Sequence, residues 1–463
     1  MGCVAVVLAA GLGTRMKSRI PKVLHPVLGD PALLWVLRSL PAHLDQALVV
    51  VHHGKDLVIE ALAGWRAQGL LPCPVATVDQ GQPLGTGHAV KACSMALDAA
   101  GADRVLILSG DVPLLSAGSV AALLEACPAL LAMELEAPGA YGRILQHADG
   151  SVRAMVEARD ADANTLAVRL VNGGAYALPW PPLRTALERL STGNAQGEYY
   201  LTDAVGDLAE TLKVRVLACP PAELTGMNSR ADQALLNRMA QTGINAQWMA
   251  AGVGFLDPGQ AWIGPRVGLE ADVFVEPGVQ LEGSCRIGAG SRLGHGSIVR
   301  DAVLGEDVEV RPYSLIESAK VGAKCIVGPF ARLREGTVLE DRVHVGNFVE
   351  TKKALLRPGA KANHLTYLGD CEIGERTNVG AGVITCNYDG LRKHRTLIGK
   401  DAFIGSDTQL VAPVSVGDGA IVGAGSTITQ DVPADALAFT RPALTQKEGG
   451  ASRLRAKQKS GLR

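Results

Sequence analysis

The sequence predicts two domains of different class: a doubly wound α/β (Rossmann-like) domain, then a parallel β-helix of hexapeptide repeats. Three observations carry this reading. Short aliphatic runs alternate with helical patterns up to about residue 230. Beyond about residue 250 the apolar period changes to six. The 463 residues include 54 glycines, with 47% hydrophobic but only 4% aromatic residues, so the cores are aliphatic and the turns tight.

In the first half, VAVVLA (4–9), ALVVVH (47–52) and RVLILSGD (104–111) read as buried parallel strands. PALLWVLRSL (31–40) and GHAVKACSMALDAA (87–100) read as helices between them, in βαβ order. The first domain therefore spans 1–230. Residues 231–251 follow as a helical linker, because Ala240, Ile244 and Trp248 recur every four residues. From 252 to 448, Ile398, Ile404, Leu410, Val416, Val422 and Ile428 form an unbroken hexad series. Val321, Val327, Leu333, Leu339 and Val345 form a second, and Val267, Val273 and Val279 a third. A helix period of 3.6 or a strand period of 2 explains none of these. A solenoid with one short strand and one turn per six residues explains all three. The alternative is a chance run of V-G and I-G dipeptides. The tail 449–463 carries five Lys or Arg and no acid; it reads as a disordered, solvated end, with a binding arm as the alternative.

The net charge of −1 offers no global field for nucleic acid or a membrane surface, so any anion site must be local. Nine cysteines are scattered singly, without a C-x-x-C pair, which indicates reduced thiols in the cytoplasm rather than disulfides or zinc. The N-terminus lacks a basic leader region, and no apolar run is long enough to span a membrane.

The chemistry begins at LAAGLGTRM (8–16), a glycine-rich turn after the first strand. It fits neither the P-loop nor the dinucleotide fingerprint. At the carboxyl end of a parallel strand, such a loop lies where open α/β sheets bind ligands, and Arg15 and Lys22 add two cations beside it. Alone, it reads equally well as a plain strand–helix turn. Asp111, in LSGDVPLL, stands at the end of another strand. It reads as an N-cap, or as a carboxylate that bridges Mg²⁺ to phosphate. QGQPLGTGHA (80–89) adds a third glycine-rich turn.

Together, L-A-A-G-x-G-T-R-M, P-K-V-L, L-G-T-G-H-A and G-D-V-P-L resemble the sugar-nucleotide pyrophosphorylases. With HVGNFVE, NHLTYLGD and TCNYDG in the hexapeptide half, residues 3 to 448 resemble the bifunctional bacterial N-acetylglucosamine-1-phosphate uridylyltransferase/glucosamine-1-phosphate acetyltransferase family. The resemblance implies a nucleotidyltransferase domain followed by a left-handed β-helix. In the first, Leu8, Ala9, Ala10 and Gly11 contact UTP and then the UDP-sugar, and Arg15 and Lys22 neutralise phosphates. Gln80, Gly85 and Thr86 read uridine, with Ser109, Gly110 and Asp111 completing that wall. Gly142, Glu157 and Asn172 bind the sugar, and Asp111 and Asn228 bind Mg²⁺.

In the second, His364 is implied to be the base that deprotonates the amine, a step for which histidine is suited. Taken alone it reads as a surface residue. Arg334, Lys352, Tyr367 and Asn378 are implied to hold the sugar phosphate. Ala381, Asn387, Tyr388, Ser406, Ala424 and Arg441 are implied to hold acetyl-CoA. CNYDGLRKHR breaks the hexads between Thr385 and Ile398, and active-site shaping is the usual reason for such a loop. Glu335 sets a negative charge next to Arg334, able to weaken its grip on phosphate. The implied chemistry acetylates glucosamine 1-phosphate with acetyl-CoA and joins N-acetylglucosamine 1-phosphate to UTP. Its product feeds peptidoglycan and lipopolysaccharide synthesis. The related acyltransferases form trimers, so a homotrimer is expected. Two rivals stand: a single-activity nucleotidylyltransferase with a regulatory or assembling β-helix, and a nucleotide-sensing scaffold.

Overall fold

The structure, a computed structural model, describes residues 2–440 and 443–460; Arg441, expected at the acetyl-CoA site, lies outside them. The chain divides into two compact units, Met1–Ile244 and Asn245–Arg463. The helix Arg230–Ala250 runs across that division. Up to Ile244 it belongs to the first unit, where Leu236 and Ala240 pack with Met16, Val27 and Met227. Asn245 already belongs to the second, its buried amide donating to the Pro258 and Ala261 carbonyls at 2.7 and 2.9 Å.

In the first unit the described residues form a nine-stranded sheet. The strands Ala102–Ser109, Gly2–Leu8, Gln46–Val51 and Val75–Asp79 lie side by side in parallel. Leu170–Pro179 runs antiparallel beside Ala102–Ser109. Alternation divides the first strand between two cores. Ala5 and Val7 join Leu33, Val49 and Leu106, while Val4 and Val6 join Val90, Leu97 and Val205. Helices cover both faces, which is why these strands are apolar throughout. The run expected as one helix over 87–100 is two, Thr86–Ala92 and Ser94–Ala99, interrupted at Cys93.

The strand order turns back at Gly2–Leu8, whose neighbours are Ala102–Ser109 on one side and Gln46–Val51 on the other. Leu8 and Ser109 are register partners, so the loops that follow them open into one crevice. The Gly110 N–H closes on the Leu8 carbonyl at 2.9 Å. A side chain there would press on that same oxygen, so the close approach requires glycine.

In the second unit, 26 strands among the described residues stack in parallel, most of them short and most paired with partners 17 or 18 residues on, such as Ile298 with Leu315 and Phe274 with Arg292. This is a parallel β-helix. Every member of the three hexad series is buried. Polar columns run along its outside: Glu282, Arg300 and Glu317 stand on three successive coils, with Arg300 bonded to Glu282 at 2.7 Å and to Glu317 at 3.4 Å. Between Cys371 and Thr396 the spacing lengthens to 25 residues, then returns to 18 at Val414.

The basic tail departs from expectation. Gly450–Lys459 is a helix, not a disordered end. Residues 451–460 are exposed, so it rests on its own Ala, Leu, Arg, Lys and Gln propensities rather than on packing.

Candidate active sites

In the first unit the crevice draws together residues far apart in the chain. Lys22 Nζ donates to the Asp111 carboxylate and, at 3.2 Å, to Asn228 Oδ1. Each has a local reason to be there. Lys22 opens a short 3₁₀ turn, Lys22–Leu24, after Pro21. Asp111 follows the strand end, and its carbonyl accepts the Met227 N–H at 2.8 Å, which ties the Met227–Asn228 segment to this loop. Asn228 precedes a capping exchange in which Asp232 accepts from the Ser229 N–H and Ser229 Oγ accepts from the Asp232 N–H. His25 and Arg230 lock the same two segments, 3.0 Å apart.

The glycine loop carries its own constraint. Gly13 sits at φ +59°, and a Cβ there would lie 2.9 Å from Lys22 Cβ. Gly13→Ala is therefore expected to displace Lys22 and cut first-site turnover by about 10²-fold, because misplacements near 1 Å cost that much. Paired assays of the two activities check this, and the second site should be untouched. Ala9 and Ala10 are buried, while Gly11 and Arg15 are exposed toward solvent.

The residues expected to read uridine stand close together in the 80–86 turn. Buried Gln80 donates to the Gly85 carbonyl at 3.0 Å, and Thr86 Oγ1 accepts from the Leu201 N–H at 3.1 Å. Gly85, at φ +108°, has the Tyr199 carbonyl where a side chain would be. Gly142, Glu157 and Asn172 form a further group: Asn172 N–H donates to the Gly142 carbonyl at 2.9 Å, and Glu157 lies against Gly142. Burial raises the Glu157 carboxyl above the ordinary carboxylate range. Asp203, Asp160 and Glu198 add to this, while the Thr202 hydroxyl, donating at 3.1 Å, opposes it. Sequence reasoning missed Thr202 and Tyr199. The run EYYLTD, two aromatics before a helix, was the available signal.

In the second unit the expected residues fall into columns. Lys361 pairs with Asn378, Asn378 with Phe403, and Phe403 with Ile421. Three residues on from each stand His364, Ala381, Ser406 and Ala424. The expected base and three expected acetyl-CoA contacts therefore share one corner, one per coil. Each is followed by a residue in left-handed conformation: Leu365, Gly382, Asp407 and Gly425. The cross-coil bonds of that corner, such as Asp407 N–H to the Ala381 carbonyl at 2.7 Å, are backbone bonds.

A second column explains Arg334 and Lys352. Arg332 pairs with Glu350 and Glu350 with Tyr367; two residues on stand Arg334, Lys352 and Gly369. This continues the Glu282–Arg300–Glu317 column, so its alternation of sign breaks where two cations follow one another. Such a pair suits an anion. Arg334 bonds Glu350 at 2.8 Å, and Glu335 bonds Lys352 at 3.0 Å. Glu335 thus engages Lys352, not Arg334 as its sequence position suggested; Glu350, unremarked in the sequence, is the carboxylate on Arg334. Gly369 leaves room for the Tyr367 phenol and for Asn387, whose amide donates to Asp370 at 2.6 Å.

The insertion is a self-braced hairpin. Tyr388 and Lys393 bridge, Asp389 accepts the Leu391 and Arg392 N–H groups at 2.8 and 2.7 Å, and His394 meets Asp389 at 2.6 Å. Tyr388 is exposed on it.

Comparison with known proteins accords with this division. The MobA-like NTP transferase domain matches residues 5–175, the GMPPB C-terminal domain 259–364, and the bacterial transferase hexapeptide (six repeats) 395–430. The bifunctional protein GlmU of Alkalilimnicola ehrlichii is 47% identical over 446 residues, covering 95% of this chain and 94% of its own. The chain belongs to the GlmU family. The GlmU protein of Sorangium cellulosum is 45% identical over 468 residues, covering 99% of this chain and 98% of its own. A solved UDP-glucose pyrophosphorylase complexed with UDP-glucose shares 19% identity at a TM-score of 0.43, over 54% of this chain and 100% of that one. Asp111 lies in the segment matched by the NTP transferase domain, and Ser406 and Ala424 in the segment matched by the hexapeptide repeats.

Proposed function

We infer that the chain is a bifunctional transferase. Residues 252–448 acetylate glucosamine 1-phosphate with acetyl-CoA, and residues 1–230 transfer UMP from UTP to N-acetylglucosamine 1-phosphate. Full-length membership of the GlmU family carries this conclusion.

In uridylyl transfer a phosphate oxygen of the sugar phosphate attacks the α-phosphorus of UTP, and the bond to the β-phosphate breaks, releasing pyrophosphate. That oxygen is already anionic, so no general base is needed. The barrier is charge repulsion and alignment, which cations and backbone donors lower. Arg15, Lys22 and the N–H groups of the 8–11 loop supply them. Gln80, Gly85, Thr86 and Ser109–Asp111 orient the base and ribose, and Gly142, Glu157 and Asn172 the sugar. Asp111 and Asn228 offer the hard oxygen donors that Mg²⁺ takes, and both already meet one cation, Lys22 Nζ. Among the described residues no cluster of three or more His, Cys, Asp or Glu could hold a metal, so two protein oxygens would leave the other positions to phosphates and water. When bound, Mg²⁺ supplies charge neutralisation at the phosphates.

In acetyl transfer the amine must be neutral to attack the thioester. His364 takes its proton, the nitrogen bonds to the acetyl carbon, and the C–S bond breaks, the sulfur leaving as coenzyme A. Arg334 and Lys352 hold the sugar phosphate, with Tyr367 and Asn378 beside them. Ala381, Asn387, Tyr388, Ser406, Ala424 and Arg441 hold acetyl-CoA. Incubating the full chain with glucosamine 1-phosphate, acetyl-CoA and UTP should release coenzyme A and pyrophosphate together. Pyrophosphate from N-acetylglucosamine 1-phosphate without any coenzyme A release would leave a nucleotidylyltransferase alone.

The assembly is a homotrimer in this reading. Tyr313, Phe330 and Phe348 stack at 5.3 and 5.4 Å along the edge that ends at Leu365, beside His364. These four are between 47% and 65% exposed, an apolar stripe suited to a second copy. Arg441 follows the last coil and is assigned to a different subunit's site from His364. His364→Ala and Arg441→Ala chains, each impaired alone, should regain acetyl transfer when refolded together. No gain despite proven subunit exchange would place both in one subunit. No helix among the described residues is long and apolar enough to cross a membrane. Nine free cysteines favour the cytoplasm.

A further inference from the structure

The corner column of His364 begins one coil earlier than the residues assigned to it. Asn347 and His364 are register partners in the parallel pair His344–Leu356 and Lys361–Ile373. Their side chains leave backbones about 4.8 Å apart at the same corner position. On the other flank of His364 the column continues as Ala381, Ser406 and Ala424, the acetyl-CoA side in the reading above. Asn347 thus flanks the imidazole on the side away from the thioester.

The Asn347 amide oxygen is buried and has no hydrogen-bond partner. A buried amide oxygen without a donor is costly and rare, and it calls for an explanation. Asn363 Oδ1 is in the same state, but Asn363 stands in the neighbouring column between Gly346 and Gly380. Only Asn347 shares the column of the base. An imidazole acting as a base presents one bare nitrogen to the proton it takes, and its other nitrogen carries a hydrogen. Whatever accepts that hydrogen sets the tautomer and the ring's direction.

We propose that Asn347 is a positioning residue for acetyl transfer, its amide oxygen accepting the N–H of the His364 nitrogen that faces away from the amine. The carboxamide fixes tautomer and ring direction without adding charge. This rests on His364 being the base.

The test uses the full-length protein and measures kcat and KM for acetyl transfer against pH, with uridylyl transfer as the check on folding. Asn347→Ala fits the backbone, since Ala381 and Ala424 occupy the same corner. It should lower kcat about 10- to 100-fold, with both KM values within about twofold of wild type. Asn347→Asp puts a carboxylate against the ring, favours the protonated imidazole and should move the acidic limb of kcat up by about one pH unit. Arg311, Glu309, His344 and Lys361, and Glu350 and Tyr367 on the same strand pair, are unchanged in both variants, so the shift reports the amide. An unmoved limb in Asn347→Asp overturns the proposal, as does a raised KM with intact kcat in Asn347→Ala. His364→Ala separates the two levels. If it keeps acetyl transfer, the base assignment fails. If it loses acetyl transfer while the Asn347 variants behave as wild type, only the positioning role fails.

Discussion

Acetyl transfer is expected to fall by about 10²- to 10⁴-fold when His364 becomes alanine, while uridylyl transfer by the same protein keeps its wild-type rate. The size follows from what a positioned base contributes when an ammonium must lose its proton before attacking a thioester. The selectivity follows from placement: His364 is exposed at a corner of the β-helix, in a compact unit that contains none of the residues assigned to uridylyl transfer. The fold should tolerate the change, because the next coil already carries Ala381 at that position. Product release from each half-reaction, measured on one preparation with matched circular dichroism, decides the matter. Loss of both activities from a folded protein would end the two-site reading.

Asp111→Ala is expected to reverse the pattern, reducing uridylyl transfer by about 10²- to 10³-fold and sparing acetyl transfer. Two effects combine at this position. The carboxylate is one of two oxygens that Lys22 Nζ meets, so its removal leaves the lysine held by Asn228 alone. It also removes the only negatively charged donor proposed for Mg²⁺. The backbone of Asp111 should stay in place, since its carbonyl still accepts the Met227 N–H. Raising Mg²⁺ should recover part of the loss in Asp111→Asn and less in Asp111→Ala. A variant that retained full uridylyl transfer at low Mg²⁺ would remove Asp111 from the site.

The β-helix was legible because neither a helix nor a strand period yields one aliphatic per six residues, and each hexad member is buried where that period puts it. The α/β half was legible for the reason given by Val4 to Val7: a strand covered on both faces has no polar alternation to lose. Contacts between distant segments were not legible from spacing. Lys22 and Asp111 meet across 89 residues, and only the shared crevice of the sheet brings them together. The motif resemblance named both residues without naming their contact. Corner geometry was hidden too, since Tyr313, Phe330 and Phe348 occupy left-handed backbone that sequence patterns assign to glycine. The 87–100 run was read as one helix because its apolar spacing continues through the break at Cys93.

The alternating column Glu282, Arg300, Glu317 and Arg334 bears on how the coils find one another during folding. Hexapeptide coils are nearly interchangeable inside: a valine stacked on the wrong isoleucine loses little. A solenoid built only from such coils risks stacking with one coil skipped or doubled. In the native stack neighbouring rungs carry opposite charges, and Arg300 meets both Glu282 and Glu317. With one coil missing, Glu282 would face Glu317 and Arg300 would face Arg334. Half-exposed pairs of this kind add only about 0–1 kcal/mol each to the finished fold. Repelled like charges at successive rungs still count against the mis-stacked form. The column works as a tally, marking odd coils from even ones where the interior cannot.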